Sequence, residues 1–355
     1  MRHLCLSILF SLSLLCTAES IAQEVVTHPS NPRFPNIKAS LGDGFYSLAE
    51  QQARGILLSD PGPEDAADAE LLLAHALWGQ KRYSEILALL VDAEPGPGVA
   101  YWRARACYEL RQYEQGLAAL ASGGMMPPES IYSAASLRLK GRLEQLNGQL
   151  EAAAKTYEQY ARQFRMQADY IDNQLDLAVV YLAQDRLDAA RAAYEELIAG
   201  ENSRGVQLGQ LKLAHMLYTT GDEDHIETAR NLLVSIAEND EARTAYRIDA
   251  FVDLAALEEQ AGHYEESVNA MRSGIRLAPD ARLRVKLKLS LARMLLRADD
   301  VTGALKLLEE CRTEAPDERV AAELQLDKAG ALLQSGRFKE ADEAYQVYLD
   351  VADSV

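Results

Sequence analysis

Small side chains return along this sequence at a nearly constant interval, and that interval limits the fold more than any other feature. Ala74, Ala104, Gly141, Ala178, Ala214, Ala255, Ala292 and Ala329 each sit mid-way along an apolar-periodic stretch, at steps of 30, 37, 37, 36, 41, 37 and 37 residues. A second series, Gly116, Ala153, Ala190, Ala229, Ser267, Ala304 and Ala341, advances in steps of 37, 37, 39, 38, 37 and 37, with Ile86 in the corresponding place of the first repeat. Three residues before each second marker stands a larger apolar residue: Tyr83, Tyr113, Leu150, Leu187, Ile226, Tyr264, Val301 and Phe338. Self-similarity at such a period belongs to arrays built from one repeated supersecondary unit.

The spacing specifies the unit. Turn signals separate the two markers, most clearly at Asn147-Gly148, Gly221-Asp222, Gly262-His263 and Ser335-Gly336. Pro97, Pro127, Pro279 and Pro316 follow the second stretch, where proline cannot continue a helix. Each repeat is therefore predicted to hold two amphipathic helices of 12 to 15 residues, whose small residues let the backbones approach. One hairpin cannot bury its whole apolar face, so neighbours must stack. Glu223-Asp224-His225 reads as an insertion in the fifth repeat, and Glu94 to Gly98 as a shortened loop before the second.

The ends read differently. Arg2, the apolar run Leu4 to Cys16 and the small residues of Ser20-Ile21-Ala22 form an export leader with cleavage expected after Ala22. The leader resembles those of Gram-negative bacterial proteins, which implies a periplasmic or secreted location. Residues 23–44, with Pro29, Pro32 and Pro35, are expected to be an extended tail. Tyr46 and Ala49 lie 37 residues ahead of Tyr83 and Ile86, so residues 45–65 are expected to form a lone capping helix before an array over 66–355. The array lacks a polar capping helix after its last repeat, so the chain is expected either to continue or to pair there, through Val347, Leu349 and Val351.

The repeat resembles that of the tetratricopeptide-repeat family. Ala255, Gly262, Tyr264, Ser267, Gly274 and Pro279 give the best match, and Ala329, Gly336, Phe338, Ala341 and Tyr345 repeat the order. The resemblance covers about residues 66 to 355 in eight units, with a period nearer 37 than the family's 34. It implies an all-α, right-handed superhelical solenoid of antiparallel helix pairs, whose first helices line a concave binding groove. Carried over, it places Trp78, Tyr101, Arg105, Tyr108, Arg138, Arg142, Tyr218 and Arg293 in that groove. Tyr101, Arg105 and Tyr108 share a helix face, as do Arg138 and Arg142, so a cationic, aromatic patch is expected there. The sequence has His75 or Arg105 where some relatives carry the asparagine that clamps acidic chaperone C-termini.

Composition and motifs narrow the function classes. A formal net charge of -18 opposes binding to nucleic acid or anionic lipid. No HExxH, GxSxG or GxxxxGK[ST] pattern occurs, so neither catalysis nor a cofactor is expected. His75, His215, His225 and His263 lack metal-site spacing, and Asp222-Glu223-Asp224 lacks that of a calcium loop. Cys107 and Cys311 lie on apolar faces and read as buried thiols that cannot pair. Beyond the leader, no segment reaches the length of a membrane span. The expected role is a non-enzymatic scaffold binding a peptide or partner protein. The alternative is an N-terminal helical module of a larger envelope-assembly or polysaccharide-export system.

Overall fold

The computed structural model describes residues 34–124, 130–220, 223–314 and 318–352. Those residues form eighteen helices and no strand: α1 Pro35–Gly42, α2 Tyr46–Leu57, α3 Pro63–Gly79, α4 Tyr83–Leu89, α5 Pro97–Glu109, α6 Tyr113–Ser122, α7 Ser133–Leu146, α8 Leu150–Gln163, α9 Tyr170–Ala183, α10 Leu187–Ile198, α11 Ser203–Thr220, α12 Glu223–Ala237, α13 Thr244–Gln260, α14 Tyr264–Leu277, α15 Ala281–Arg297, α16 Val301–Glu314, α17 Glu318–Gln334 and α18 Phe338–Ala352. They fall into two compact bodies that divide within α10, at Tyr194 and Glu195. The leader, Pro127, Gly221-Asp222 and Pro316 lie outside the described residues.

One turn design joins the helices of a hairpin. Seven residues after every first marker except Ala214, whose equivalent lies outside the described residues, stands a residue at positive φ: Lys81, Arg111, Gly148, Asp185, Gly262, Asp299 and Gly336, with φ from 58 to 81°. The next residue's N–H then reaches back to a carbonyl in the last helical turn, as in Arg82 to Leu77 (2.9 Å), Gln149 to Glu144 (2.8 Å) and Arg337 to Leu332 (2.9 Å). This bond satisfies a carbonyl that a helix end leaves open. The constant offset fixes the register of every hairpin to its small residue.

The same turn occurs before Tyr46. Gly44 has φ 77°, seven residues past Ile37, and the Phe45 N–H reaches the Ser40 carbonyl at 2.7 Å. The expected extended tail and lone capping helix are therefore incorrect from residue 35 onward. Residues 35–57 form a ninth hairpin, with Ile37 and Leu41 buried in one core with Ala49 and Ala53. Pro35 occupies the first turn of α1, where its missing N–H has no intrahelical partner to lose. The array then opens at Pro63, not at residue 66.

Helix lengths also depart from the uniform expectation. First helices of the eight repeats run from 13 to 18 residues, and second helices from 7 to 15. The seven-residue α4 accounts for the 30-residue step. Glu223-Asp224-His225 do not loop out. They start α12 six residues before Ala229, where other second helices start three before their marker.

In residues 34–194 a continuous core runs from Ile37 to Leu143 through Leu72, Trp102 and Leu139. In residues 195–352 Ile248, Ala255, Leu287, Ala292, Leu308 and Leu324 belong to one core. Ala74, Ala104, Ala178, Ala214, Ala255 and Ala292 are all completely buried. Cys107 and Cys311 are free and buried, as expected, and burial pushes the Cys311 thiol up to about 11.

Two glycines separate the roles of that residue. A Cβ on Gly141 would stand 2.5 Å from the fully buried Tyr157 ring, whereas one on Gly330 would meet nothing within 4 Å. Gly141→Ala should destabilise the protein by about 1–3 kcal/mol through overpacking. Gly330→Ala, in an exposed helix interior, should stabilise it by about 0.5–1 kcal/mol. Urea unfolding followed by helical circular dichroism measures both, and a neutral Gly141→Ala would contradict the tight crossing.

Candidate functional site: the first-helix face

The structure brings the predicted patch residues together but turns most of them inward. The Arg105 guanidinium carbon lies 5.0 Å from the Trp78 ring centre and 5.4 Å from that of Tyr108. Its Nη2 is 3.4 Å from Glu109 Oε1, which also accepts from the Trp78 indole at 3.4 Å. Arg105 is 2% exposed, and Tyr101 is buried against Trp102 and Tyr132, with ring centres 5.2 and 5.5 Å away. A guanidinium this deep in apolar surroundings needs a carboxylate and aromatic faces around it.

Arg138 and Arg142 are likewise compensated. Arg138 approaches Asp169 at 3.5 Å and Asp176 at 3.4 Å, and Arg142 Nε approaches Asp176 at 3.3 Å. Tyr160 donates its hydroxyl proton to Asp169. The expectation of an open cationic patch is thus corrected. Arg105 and Arg138 are buried, and Arg142 is partly exposed but shares its carboxylate with Arg138.

In residues 195–352, Tyr218 is buried and donates to Asp253 at 3.2 Å, with His215 Nδ1 3.0 Å from its hydroxyl and 3.6 Å from Asp253. Burial, reinforced by the Asp253 charge, drives the Tyr218 hydroxyl far above its ordinary range and keeps it a donor. Arg293 is the exposed member of the predicted set. It holds Asp327 through two nitrogens, the shorter contact being 2.8 Å.

These contacts share one register. The residue directly after the first marker in repeats one, three, five and seven is His75, Arg142, His215 or Arg293. Each reaches the residue two before the marker of the next repeat: Trp102 (ring centres 5.0 Å apart), Asp176, Asp253 or Asp327. In repeats two, four, six and eight the residue after the marker is Arg105, Val179, Ala256 or Gly330. The rungs thus recur every two repeats. From α7 to α17 the net charge of the first helices alternates in the same way, as where α9 carries Asp172 and Asp176 with no cation and α15 carries six cations with no acid; α3, with four acids and no cation, departs from it.

Asp176, Asp253 and Asp327 were absent from the predicted site. Their signal was available as an aspartate at one register position, 77 and then 74 residues apart. Among the described residues no group of His, Cys, Asp and Glu could hold a metal ion, and no helix is long and apolar enough to cross a membrane. His263 lies 2.8 Å from Glu258, beside Arg230. Burial opposes ionisation of Glu258, but hydrogen bonds from Arg230 and His263 outweigh it and hold the carboxyl below its ordinary range.

The rungs differ in depth, so their deletion should differ in cost. Asp176→Ala removes a shared acceptor from the buried Arg138 and from Arg142, and should cost about 1.5–3 kcal/mol. Asp327→Ala releases Arg293, whose side chain is 46% exposed, and should cost no more than about 1 kcal/mol. Urea unfolding of the two variants tests this order, and equal costs would contradict it.

No protein-family profile and no curated protein matches the sequence. Solved structures do match. RapI in its apo form superposes with a TM-score of 0.58 at 11% identity, over 89% of this chain and 95% of that one. The apo quorum sensor NprR from B. thuringiensis gives 0.51 at 16% identity, over 89% and 98%. The C-terminal part of a TPR repeat-containing protein from Cytophaga hutchinsonii gives 0.51 at 13% identity, over 78% and 99%. Small residues in fixed register, a shared turn and these likenesses establish the fold: the chain is an all-α, tetratricopeptide-repeat-like helical solenoid.

Proposed function

We propose that this protein is an exported, non-enzymatic scaffold that holds a peptide or a partner protein against its first-helix face. The observation that carries the reading is the construction of that face. Rungs between neighbouring first helices hold polar groups in fixed positions, while Val179 and Arg293 stand about half exposed and Trp78, Tyr108 and Leu182 partly so. Fixed polar groups beside accessible apolar and aromatic side chains suit recognition, because little side-chain freedom remains to be lost on binding. The export half of the reading rests on Arg2, Leu4 to Cys16 and Ser20-Ile21-Ala22. The periplasm is the compartment proposed.

A second reading, a helical module within a larger envelope-assembly or polysaccharide-export system, draws on the exposed Leu326, Leu333 and Tyr345 of the last hairpin. Affinity capture from envelope extracts, comparing wild type with Val179→Glu and Arg293→Glu, tests the first reading. Recovery of a specific partner should fall about tenfold in at least one variant, equivalent to about 1.4 kcal/mol. Undiminished recovery by both would exclude the first-helix face. Release of the protein by osmotic shock tests its location, and retention with cytoplasmic markers would refute export.

A further inference from the structure

Within each of the two bodies the junctions between hairpins cover the same positions wholly or in part, and the first and last described hairpins leave the two halves of that set more exposed. On the last hairpin, Leu326 is 37% and Tyr345 43% exposed, and Leu333 is also exposed. Their equivalents one repeat earlier, Leu289, Leu308 and Leu296, belong to or pack against the core around α17, with Leu289 and Leu308 fully buried. Tyr348, beside Tyr345 with ring centres 6.1 Å apart, corresponds to the buried Cys311. Val347 and Leu349, expected to accept a neighbour, correspond instead to the exposed Glu310 and Arg312 and lie off this face.

The first hairpin shows the reciprocal half. Two residues after each marker stand Ala76, Ala106, Leu143, Val180, Met216, Leu257, Met294 and Ala331, all buried. In α1 that position is Ala39, which is exposed, and a Cβ on the neighbouring Gly42 would meet nothing within 4 Å. Beside it a cavity of about 400 Å³ opens between Phe34, Ile37, Gln52, Gly55 and Ile56. The face is open, with room for bulky side chains.

Charge disfavours one of the two symmetric ways in which copies could meet, and the other would set only the small Ala39 of each copy against its like. Residues 318–352 hold seven acids and four bases, so two last hairpins brought face to face would repel. Residues 34–58 hold two acids and two bases, a neutral counterpart. We propose that copies of this chain associate head to tail, the Leu326, Leu333, Tyr345 and Tyr348 face of one stacking on the α1 face of the next around Ala39. Such a contact is heterologous, so it adds copies in series instead of stopping at a symmetric pair.

Analytical ultracentrifugation of the purified chain, with Ala39→Arg, Tyr345→Glu and a mixture of the two, tests this. The weight-average mass of wild type should rise with concentration past twice that of the mature monomer. Each variant alone should associate about tenfold or more weakly. Their mixture should form a dimer and go no further, because each variant keeps one intact end. Unchanged helical circular dichroism confirms that both exposed substitutions leave the fold intact. A chain that stays monomeric, a wild-type dimer that does not grow, or an Ala39→Arg variant that associates like wild type would each overturn the proposal.

Discussion

The close crossing of two helices at a small residue is the contact on which this structure depends. Ala178, Ala214 and Ala292 are wholly excluded from solvent, so neighbouring groups pack directly on a methyl and a larger side chain there would have to displace them. Gly141 shows the same constraint in its strictest form, because the Tyr157 ring occupies the space a methyl would need. The crossing fixes the marker, the marker fixes the turn seven residues on, and the turn fixes where the second helix begins. Register errors are costly at each of these steps, which is how hairpins of such low mutual similarity can stack on one another within each body.

Electrostatics adds a second, coarser register. The rungs join repeats in twos, and first helices of opposite charge alternate along much of the array. A slip by one repeat would leave Asp176 or Asp327 without its cation and set like charges side by side. The exposed rungs contribute little stability by themselves. Their effect is to make alternative orders worse, a role that a net charge of -18 makes more valuable, since acids outnumber bases.

The fold was legible because its determinants are local and repeated. Small residues, turn glycines and the larger residue before each second marker can be read by counting. The first hairpin was missed for a physical reason: Ile37 replaces the small marker, and proline excludes helix only beyond the first turn, whereas Pro35 stands within it. The site was less legible. Spacing showed that Tyr101, Arg105 and Tyr108 share a face, but depth along that face depends on the neighbouring hairpin. Only Trp78 stacking above Arg105 and Glu109 beside it reveal that the guanidinium is enclosed. The aspartates at 176, 253 and 327 could have been found by asking which register positions are occupied in every second repeat.

The compensation of these arginines bears on what the face can recognise. A cation already sharing a carboxylate attracts a second one weakly, because the incoming group must displace or overcrowd the first. A free acidic terminus would therefore gain little from Arg138 or Arg142. It would gain more from Arg293, whose side chain is half in water although its Asp327 partner is largely buried. Apolar and aromatic contacts at Trp78, Tyr108, Val179 and Leu182 need no such displacement, since burying them releases water without separating an ion pair. A partner of the proposed kind would accordingly be held more by apolar anchors than by charge, with the rungs setting the spacing at which those anchors must arrive.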